Sequence, residues 1–161
     1  MIKIHDTAKV SENCDIEDSV RGSVIEIGAF SNIDSFVKIK PAGGSGNIKL
    51  GKRVHINSCC VLYSGNGILI GNNVLVAANC TFAPVNHEYK NTTLKIIDQG
   101  HAKSKGGIII EDNVWIGANC VLLDGSHIGE GSVIAAGSVV RGRIKGKSLY
   151  GGNPIKFIKN I

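Results

Sequence analysis

The spacing of aliphatic residues, with a period of six, constrains the fold of this chain more than any other feature. From Ile110 to Val140 every sixth residue is Ile, Leu or Val, and the fifth position of the same hexads is mostly small, as at Cys120 and Ser132. This period fits neither the 3.6 residues of a helical turn nor the simple alternation of one strand. It fits short strands joined at corners, with three hexads forming a triangular coil of about 18 residues. The sequence therefore predicts an all-β chain of stacked coils, whose inward aliphatic side chains form columns.

The same spacing recurs upstream in shorter blocks, and its phase is reset between them. These blocks start at Ile4, Ile27, Leu50 and Ile70. Resets of phase predict loops inserted at corners. We interpret the glycine-rich segment 41–47 as a surface turn, and we expect an extended loop over about residues 83–107. Long excursions from a repetitive scaffold commonly carry binding and catalysis.

Length and composition agree with this architecture. A chain of 161 residues supports a single domain, 1–161, and its 21 glycines suit many tight turns around an aliphatic core. The net charge of +5 is concentrated in a basic C-terminal segment, 141–161, which has six Lys and Arg and no Asp or Glu. This excess indicates an anionic partner. Because the segment has few aromatic residues and no nucleic-acid-binding motif, we do not expect that partner to be a nucleic acid.

The compartment and the cysteines can also be interpreted from the sequence. The first residues lack the apolar run of a signal peptide, and no segment is apolar enough to span a bilayer, so we expect a cytoplasmic protein without membrane insertion. The number of cysteines is odd and none form a C-x-x-C pair, which predicts neither a disulfide framework nor a zinc site. Cys60, Cys80 and Cys120 occupy the small fifth position and are expected in the core, whereas Cys59 is expected to face outward.

Several linked motifs resemble the hexapeptide-repeat acyltransferases, which are left-handed parallel β-helix enzymes. They are Ile70-Gly71-Asn72-Asn73-Val74, Asn86-His87-Glu88-Tyr89, Gln99-Gly100, Asn113-Val114-Trp115-Ile116-Gly117, Gly137-Ser138-Val139-Val140 and Gly152-Asn153-Pro154-Ile155-Lys156. The resemblance covers nearly the whole chain and is greatest to the branch of maltose, galactoside and xenobiotic acetyltransferases, which includes polysaccharide O-acetyltransferases. It implies a left-handed parallel β-helix of triangular coils with an extended active-site loop and a short C-terminal element. It also implies a homotrimer with active sites between subunits.

The resemblance assigns chemistry to His87 and Asn57. His87 would be the general base that removes the proton of an acceptor hydroxyl during direct transfer from acetyl-CoA, a task that suits the near-neutral pKa of histidine. Asn57 would help to hold the acceptor, although an asparagine at a β-helix corner can also be purely structural. Eight residues after Asn57, the acidic sugar-binding residue of the family is replaced by Gly65. This departure argues against maltose or galactoside as the acceptor.

The resemblance also implies a binding surface for coenzyme A. It places Trp115, Ala118 and Ala136 along the pantetheine arm. Three cations would meet the phosphates, namely Arg141, Lys156 and Lys159. Trp115 could instead pack at a trimer contact. Two readings stay open for Arg143, Lys145 and Lys147, which either extend the phosphate contact or form a solvated face.

The sequence thus predicts an acetyl-CoA-dependent O-acetyltransferase acting on a hydroxyl of a sugar or sugar-containing intermediate, in capsule or lipopolysaccharide assembly. One alternative is N-acetylation of an amino group on a nucleotide-linked sugar, and another is a non-catalytic β-helix scaffold subunit. Gamma-class carbonic anhydrases share the expected fold but bind zinc through three histidines, two of them four residues apart. The five histidines of this chain include no such pair, so no metal is expected.

Overall fold

The computed structural model describes residues 1–161 and consists almost entirely of short strands. In chain order the strands are β1 (Ile2–Ile4), β2 (Lys9–Val10), β3 (Asp15–Ile16), β4 (Ile25–Ile27), β5 (Asn32–Ile33), β6 (Lys38–Lys40), β7 (Ile48–Leu50), β8 (His55–Ile56), β9 (Val61–Tyr63), β10 (Ile68–Ile70), β11 (Leu75–Val76), β12 (Thr81–Ala83), β13 (Ile108–Ile110), β14 (Trp115–Ile116), β15 (Val121–Leu123), β16 (Ser126–Ile128), β17 (Val133–Ile134), β18 (Val139–Val140), β19 (Arg143–Ile144), β20 (Ser148–Gly151) and β21 (Lys156–Asn160). One 3₁₀ turn covers Ile96–Asp98.

The strands form the three sides of a triangular prism. Sheet A has the order β1-β4-β7-β10-β13-β16-β19, sheet B the order β2-β5-β8-β11-β14-β17-β20-β21, and sheet C the order β18-β15-β12-β9-β6-β3. Consecutive strands therefore lie in different sheets, and each strand pairs in parallel with the strand one coil away. This arrangement confirms the predicted fold class, a left-handed parallel β-helix with triangular coils.

The register of the strands turns the sequence period into columns of side chains. Ile70 pairs with Leu50 on one side and with Ile110 on the other, so residues at the same hexad position stack. A continuous core of 27 buried residues results, and it contains every first-position residue from Ile110 to Val140. The periodic aliphatic positions are confirmed as the core of the protein.

The corner between sheets B and C shows why the fifth hexad position is small. Asn79 and Asn119 precede this position with left-handed φ angles of 60° and 59°, a conformation that asparagine tolerates better than most residues. The chain then turns inward at Cys80 and Cys120, which are fully buried. The thiol of Cys80 donates to the carbonyl of Gly117 at 3.2 Å. Cys60 is buried in the same way while Cys59 is exposed, so the expected placement of these cysteines is confirmed.

The two ends of the helix differ from its middle. Ile4 of the first coil is 44% exposed, because no coil lies beneath it. At the other end β21 pairs antiparallel with β20, and Phe157 contacts Tyr150 edge-on with ring centroids 5.4 Å apart. The chain thus ends in a short strand that doubles back, which confirms the predicted C-terminal element.

The third corner, between sheets C and A, carries both predicted excursions. Segment 41–47 follows β6 and stacks against the next turn of this corner, since the N–H of Gly46 donates to the carbonyl of Gly65 at 3.0 Å. One coil further on, β12 ends at Ala83 and β13 begins at Ile108, so the extended loop comprises residues 84–107. We call this edge of the prism the C–A corner.

Candidate active site

The loop 84–107 is a hairpin-like arm that presents two histidines side by side. The N–H of Ala102 donates to the carbonyl of Asn86 at 2.8 Å, and the N–H of Glu88 donates to that of Gly100 at 3.0 Å. Between these bonds His87 lies opposite His101, with ring centroids 5.0 Å apart and planes tilted by 50°. The backbone therefore sets the position of His87 through pairs on both sides.

Gln99 organises the far half of the loop. Its amide nitrogen donates to the carbonyls of Asn91 at 2.9 Å and Leu94 at 3.2 Å, and its amide oxygen accepts from the N–H of Asn91 at 3.1 Å. One side chain thus replaces the backbone pairing that this irregular segment lacks. The Gln99-Gly100 motif therefore shapes the arm that holds His87.

The return end of the loop is tied down by a buried carboxylate. Asp124 is 4% exposed and lies in the C–A corner of the next coil. Its two oxygens accept from the N–H groups of Lys105 at 2.8 Å and Gly107 at 2.9 Å. Because hydrogen bonds to an ionised carboxylate are stronger than neutral ones, Asp124 anchors the loop to the β-helix.

An open cleft of about 700 Å³ lies between the loop and the C–A corner. His87, Tyr89 and Lys90 line it from the start of the loop, and Asp124 and Arg141 line it from the coils. The His87 side chain is exposed, and no hydrogen bond from the chain engages either of its ring nitrogens. Both nitrogens are therefore free to contact a ligand in the cleft.

The structure divides the remaining predicted residues between two other places. Asn57, Ala118 and Ala136 lie at the corner between sheets B and C, and Trp115 projects from the outer surface of sheet B with 53% exposure. Lys156 and Lys159 are exposed on β21, which extends sheet B. In a triangular prism the C–A corner is opposite sheet B. Within one chain, the cleft with His87 and the face with Trp115 therefore lie on opposite sides.

The turns at the corner between sheets B and C stack closely on one another. The N–H of Gly137 donates to the carbonyl of Ala118 at 2.8 Å. A Cβ added at Gly117 would lie 2.5 Å from the nitrogen of Ala136, so only glycine permits this stacking of turns. Ala118 and Ala136 therefore lie on adjacent, closely stacked turns of this corner, next to the strand that carries Trp115.

The departure at Gly65 has a structural reason. Gly65 has a φ of 41°, and a Cβ there would lie 2.9 Å from both the side chain and the carbonyl oxygen of Pro84, where the long loop starts. Gly65 also lies at the C–A corner, whereas Asn57 lies at the corner between sheets B and C. Space for the family's acidic side chain is therefore absent at this position.

Sequence reasoning missed four residues that the structure brings to the cleft. They are Lys90, Lys103, Lys105 and Asp124. One signal was available for Asp124, because it precedes Arg141 by 17 residues, close to one coil, and residues one coil apart share a corner. No comparable spacing rule exists inside an irregular loop, so the three lysines could not have been placed.

Two further features bear on the predictions about metals and membranes. No group of three or more His, Cys, Asp and Glu side chains is arranged to hold a metal ion. No helix in the structure is long and apolar enough to cross a bilayer.

Comparison with protein families and with curated sequences identifies related proteins. Residues 107–142 match the bacterial transferase hexapeptide family, described by six repeats. A protein of Mycobacterium tuberculosis is 35% identical over 136 residues, which are 84% of this chain and 44% of that protein. A protein of Staphylococcus aureus is 42% identical over 119 residues, which are 71% of this chain and 56% of that protein. Both carry provisional names as acetyltransferases, and the chain spans about half the length of these curated relatives.

Solved structures give a second comparison. AntD, an N-acyltransferase from Bacillus cereus solved with dTDP-4-amino-4,6-dideoxyglucose and coenzyme A, matches with a TM-score of 0.81 and 24% identity, over 99% of this chain and 83% of that one. This likeness shows the fold alone. A maltose O-acetyltransferase from Clostridium difficile 630 matches with a TM-score of 0.65 and 25% identity, over 97% of this chain and 67% of that one.

Proposed function

Since the chain belongs to the hexapeptide-repeat transferases, we propose that it is an acetyl-CoA-dependent O-acetyltransferase acting on a hydroxyl of a sugar or sugar-containing intermediate. The observation that carries this proposal is the position of His87, exposed in a cleft of about 700 Å³ with both ring nitrogens free. The acetyltransferase names of the curated relatives and the likeness to a maltose O-acetyltransferase support the same chemistry.

In the proposed reaction His87 acts as a general base. It accepts the hydroxyl proton of the acceptor as that oxygen attacks the thioester carbonyl, so that a C–O bond forms and the C–S bond breaks. The protonated imidazole then returns the proton to the departing sulfur. No covalent bond to the protein is needed, because the cleft holds acceptor and base together and removes the entropic cost of bringing them into contact.

We propose that the arm of coenzyme A binds along Trp115, Ala118 and Ala136. Trp115 is 53% exposed and offers an apolar surface to the arm, and the small side chains of the two alanines leave their backbone groups open to close approach. Lys156 and Lys159 on β21 form no salt bridge within the chain, so their charges are available to phosphates. When bound, acetyl-CoA would supply the activated acetyl group, and coenzyme A would leave as the thiol.

We further propose that the working unit is a homotrimer. The cleft with His87 and the face with Trp115 lie on opposite sides of one chain, so one donor molecule cannot lie along that face and also reach His87 of the same chain. A second copy related by a rotation axis can place its face next to the cleft of the first. A site formed in this way is incomplete in a single chain.

The His87 role is tested by the variant His87→Ala in an assay of thiol release from acetyl-CoA across sugars and sugar phosphates. We expect kcat to fall by about 10²-fold or more, as is typical for loss of a general base, while calorimetry shows unchanged binding of coenzyme A. The matched control is His5→Ala, which removes an exposed histidine of the first coil. An unchanged kcat in His87→Ala would refute the assignment.

The shared site is tested by mixing two inactive variants. His87→Ala lacks the base, and Ala136→Trp blocks the donor surface, so each homotrimer should be inactive. When the two are co-expressed with different affinity tags and purified through both, about one site in three regains an intact base and an intact donor surface. The proposal is supported if both homotrimers are inactive and the mixed trimers are active. If the mixed trimers are also inactive, the site does not lie between subunits.

The product and the donor distinguish the remaining alternatives. Hydroxylamine cleaves an acetyl ester but leaves an acetyl amide intact, so mass analysis after this treatment separates O-acetylation from N-acetylation. A non-catalytic scaffold subunit would show no heat of binding when titrated with coenzyme A. The change Lys156→Glu should raise the KM for acetyl-CoA, whereas an unchanged KM would assign Lys156 to a solvated face.

A further inference from the structure

The cleft around His87 has an unusual concentration of positive charge. Four of its lining residues are cationic, namely Lys90, Lys103, Lys105 and Arg141, against the two acids Glu88 and Asp124. Lys103 and Lys105 follow His101 on the return arm of the loop, and Arg141 follows β18, at the same corner two coils further along the chain. The cations therefore approach the cleft from two separate elements.

The acids of the cleft are already engaged by backbone donors. Glu88 accepts hydrogen bonds from the next two backbone N–H groups at 2.9 and 3.1 Å, and these bonds hold the pKa of its carboxyl below the ordinary value. Asp124 accepts from the N–H groups of Lys105 and Gly107. Every salt bridge of the chain lies elsewhere, so none of the four cations has an acidic partner within 4.0 Å.

Four cations without acidic partners, beside the proposed general base, indicate that the molecule on which the base acts is negatively charged. We propose that the acceptor carries a phosphate group, which these cations bind while His87 meets the acceptor hydroxyl. The inference rests on the proposed function and narrows its acceptor to a phosphorylated sugar or a comparable phosphate ester. A phosphate offers several anionic oxygens to cations arriving from two sides, and the guanidinium of Arg141 can hold two of them at once.

The position of the cations favours the acceptor over the phosphates of coenzyme A. In the proposed trimer the donor lies along sheet B of the neighbouring copy, where Lys156 and Lys159 on β21 are available to its phosphates, so the cations of the cleft are left for the acceptor. Arg141 lies with His87, where the acceptor hydroxyl must be placed. A volume of about 700 Å³ also accommodates a ligand larger than one neutral monosaccharide ring.

The test compares two probes that differ only by a phosphate. Wild-type protein is saturated with coenzyme A, which occupies the donor surface, and is then titrated by calorimetry with glucose 1-phosphate and with glucose. We expect glucose 1-phosphate to bind at least about tenfold more tightly than glucose, and the difference to shrink as salt is raised. Arg141→Gln and Lys103→Gln should each weaken glucose 1-phosphate binding by about five- to tenfold.

Matched controls remove the same charges elsewhere. Arg21→Gln changes an exposed arginine of the first coil, and Lys52→Gln changes an exposed lysine at the corner between sheets A and B. Both should bind the probe as the wild type does. The proposal is wrong if the control variants lose as much affinity for glucose 1-phosphate as Arg141→Gln and Lys103→Gln do. It is also wrong if the wild type binds glucose and glucose 1-phosphate equally tightly.

Two readouts separate this inference from the proposed function. If Arg141→Gln weakens binding of coenzyme A and leaves the probe unchanged, the cations serve the donor and the inference is wrong, although an acetyltransferase remains. If the protein binds no coenzyme A and releases no thiol with any acceptor, the proposed function fails. In that case, titration of the protein without coenzyme A, again with glucose 1-phosphate and glucose, still shows whether the cleft binds a phosphate group.

Discussion

The buried carboxylate of Asp124 offers a quantitative test of how the β-helix positions its loop. In Asp124→Asn, one side-chain oxygen can still accept from one N–H group, but the new NH₂ faces the other donor. Asp124 accepts two hydrogen bonds, from the N–H groups of Lys105 at 2.8 Å and Gly107 at 2.9 Å. The variant loses one of them and leaves that N–H group without an acceptor beside a buried side chain. A charge-assisted bond of this kind contributes about 2 kcal/mol, which corresponds to roughly a 30-fold change in the local opening equilibrium.

Amide hydrogen exchange measures this opening directly. In Asp124→Asn the amides of Lys105 and Gly107 should exchange about 30-fold faster, whereas amides of the coil strands should be much less affected. The kcat should also fall, because the arm that carries His87 loses one of its two anchored ends. Binding of coenzyme A should be little affected, because its predicted contacts Trp115, Ala118 and Ala136 lie on the coils and not on the loop.

Asp112→Asn is the matched control for this prediction. The two oxygens of Asp112 accept from the backbone N–H of Asn72 at 2.7 Å and from its side-chain amide at 3.1 Å, at the corner between sheets A and B, which carries no long loop. Its replacement should speed exchange at Asn72 and leave the loop and the activity unchanged. If Lys105 and Gly107 exchange at the wild-type rate in Asp124→Asn, the carboxylate does not anchor the loop and the reasoning is refuted.

Three other changes test the coils. Phe82→Ala empties a fully buried site next to the loop and should lower the free energy of unfolding by about 3–5 kcal/mol in urea titrations. The hydrogen bond from His127 at 2.7 Å lowers the pKa of Glu111, so the resulting stability is present at neutral pH and is lost as pH falls through the lowered pKa. Glu111→Gln should therefore show a shallower loss of stability in acid unfolding. Iodoacetamide should modify exposed Cys59 in the native protein and spare Cys120, since contact with another thiol and burial raise the pKa of Cys120.

The coils could be predicted from the sequence because their geometry is periodic. Once the hexad register is known, Ile110 and Ile116 must point inward, and a residue one coil away must share their column. The prediction is weakest at the first coil, where Ile4 keeps the period but is 44% exposed. A column needs neighbours on both sides to bury its members, and the register alone does not show where the stack ends.

The candidate site was predictable only in part, for a related reason. The resemblance to the family, carried by short motifs, is what assigned roles to His87, Trp115 and Ala118. By contrast, the resemblance assigned Arg141, Lys156 and Lys159 to one phosphate site, whereas within one chain the structure places Arg141 at the same corner as His87 and the two lysines on β21. Proximity along the chain is a poor guide in a β-helix, since six residues move the chain to another side of the prism.

The way in which the loop leaves the coils explains how the fold can carry such an insertion. Its first residue, Pro84, accepts from the N–H of Asn66 at 3.0 Å, and the N–H of Ile108 donates to the carbonyl of Gly67 at 2.9 Å where the chain returns. Both ends are therefore bonded to adjacent residues of the turn below, and the ladders of sheets C and A continue across the insertion. Because the ladders and the core lie outside the loop, substitutions at His87 or Lys103 should change binding and catalysis without changing the free energy of unfolding appreciably. If the loop and its corner carry the proposed acceptor site, variants of the coils should change stability and variants of the loop should change activity, with separable effects.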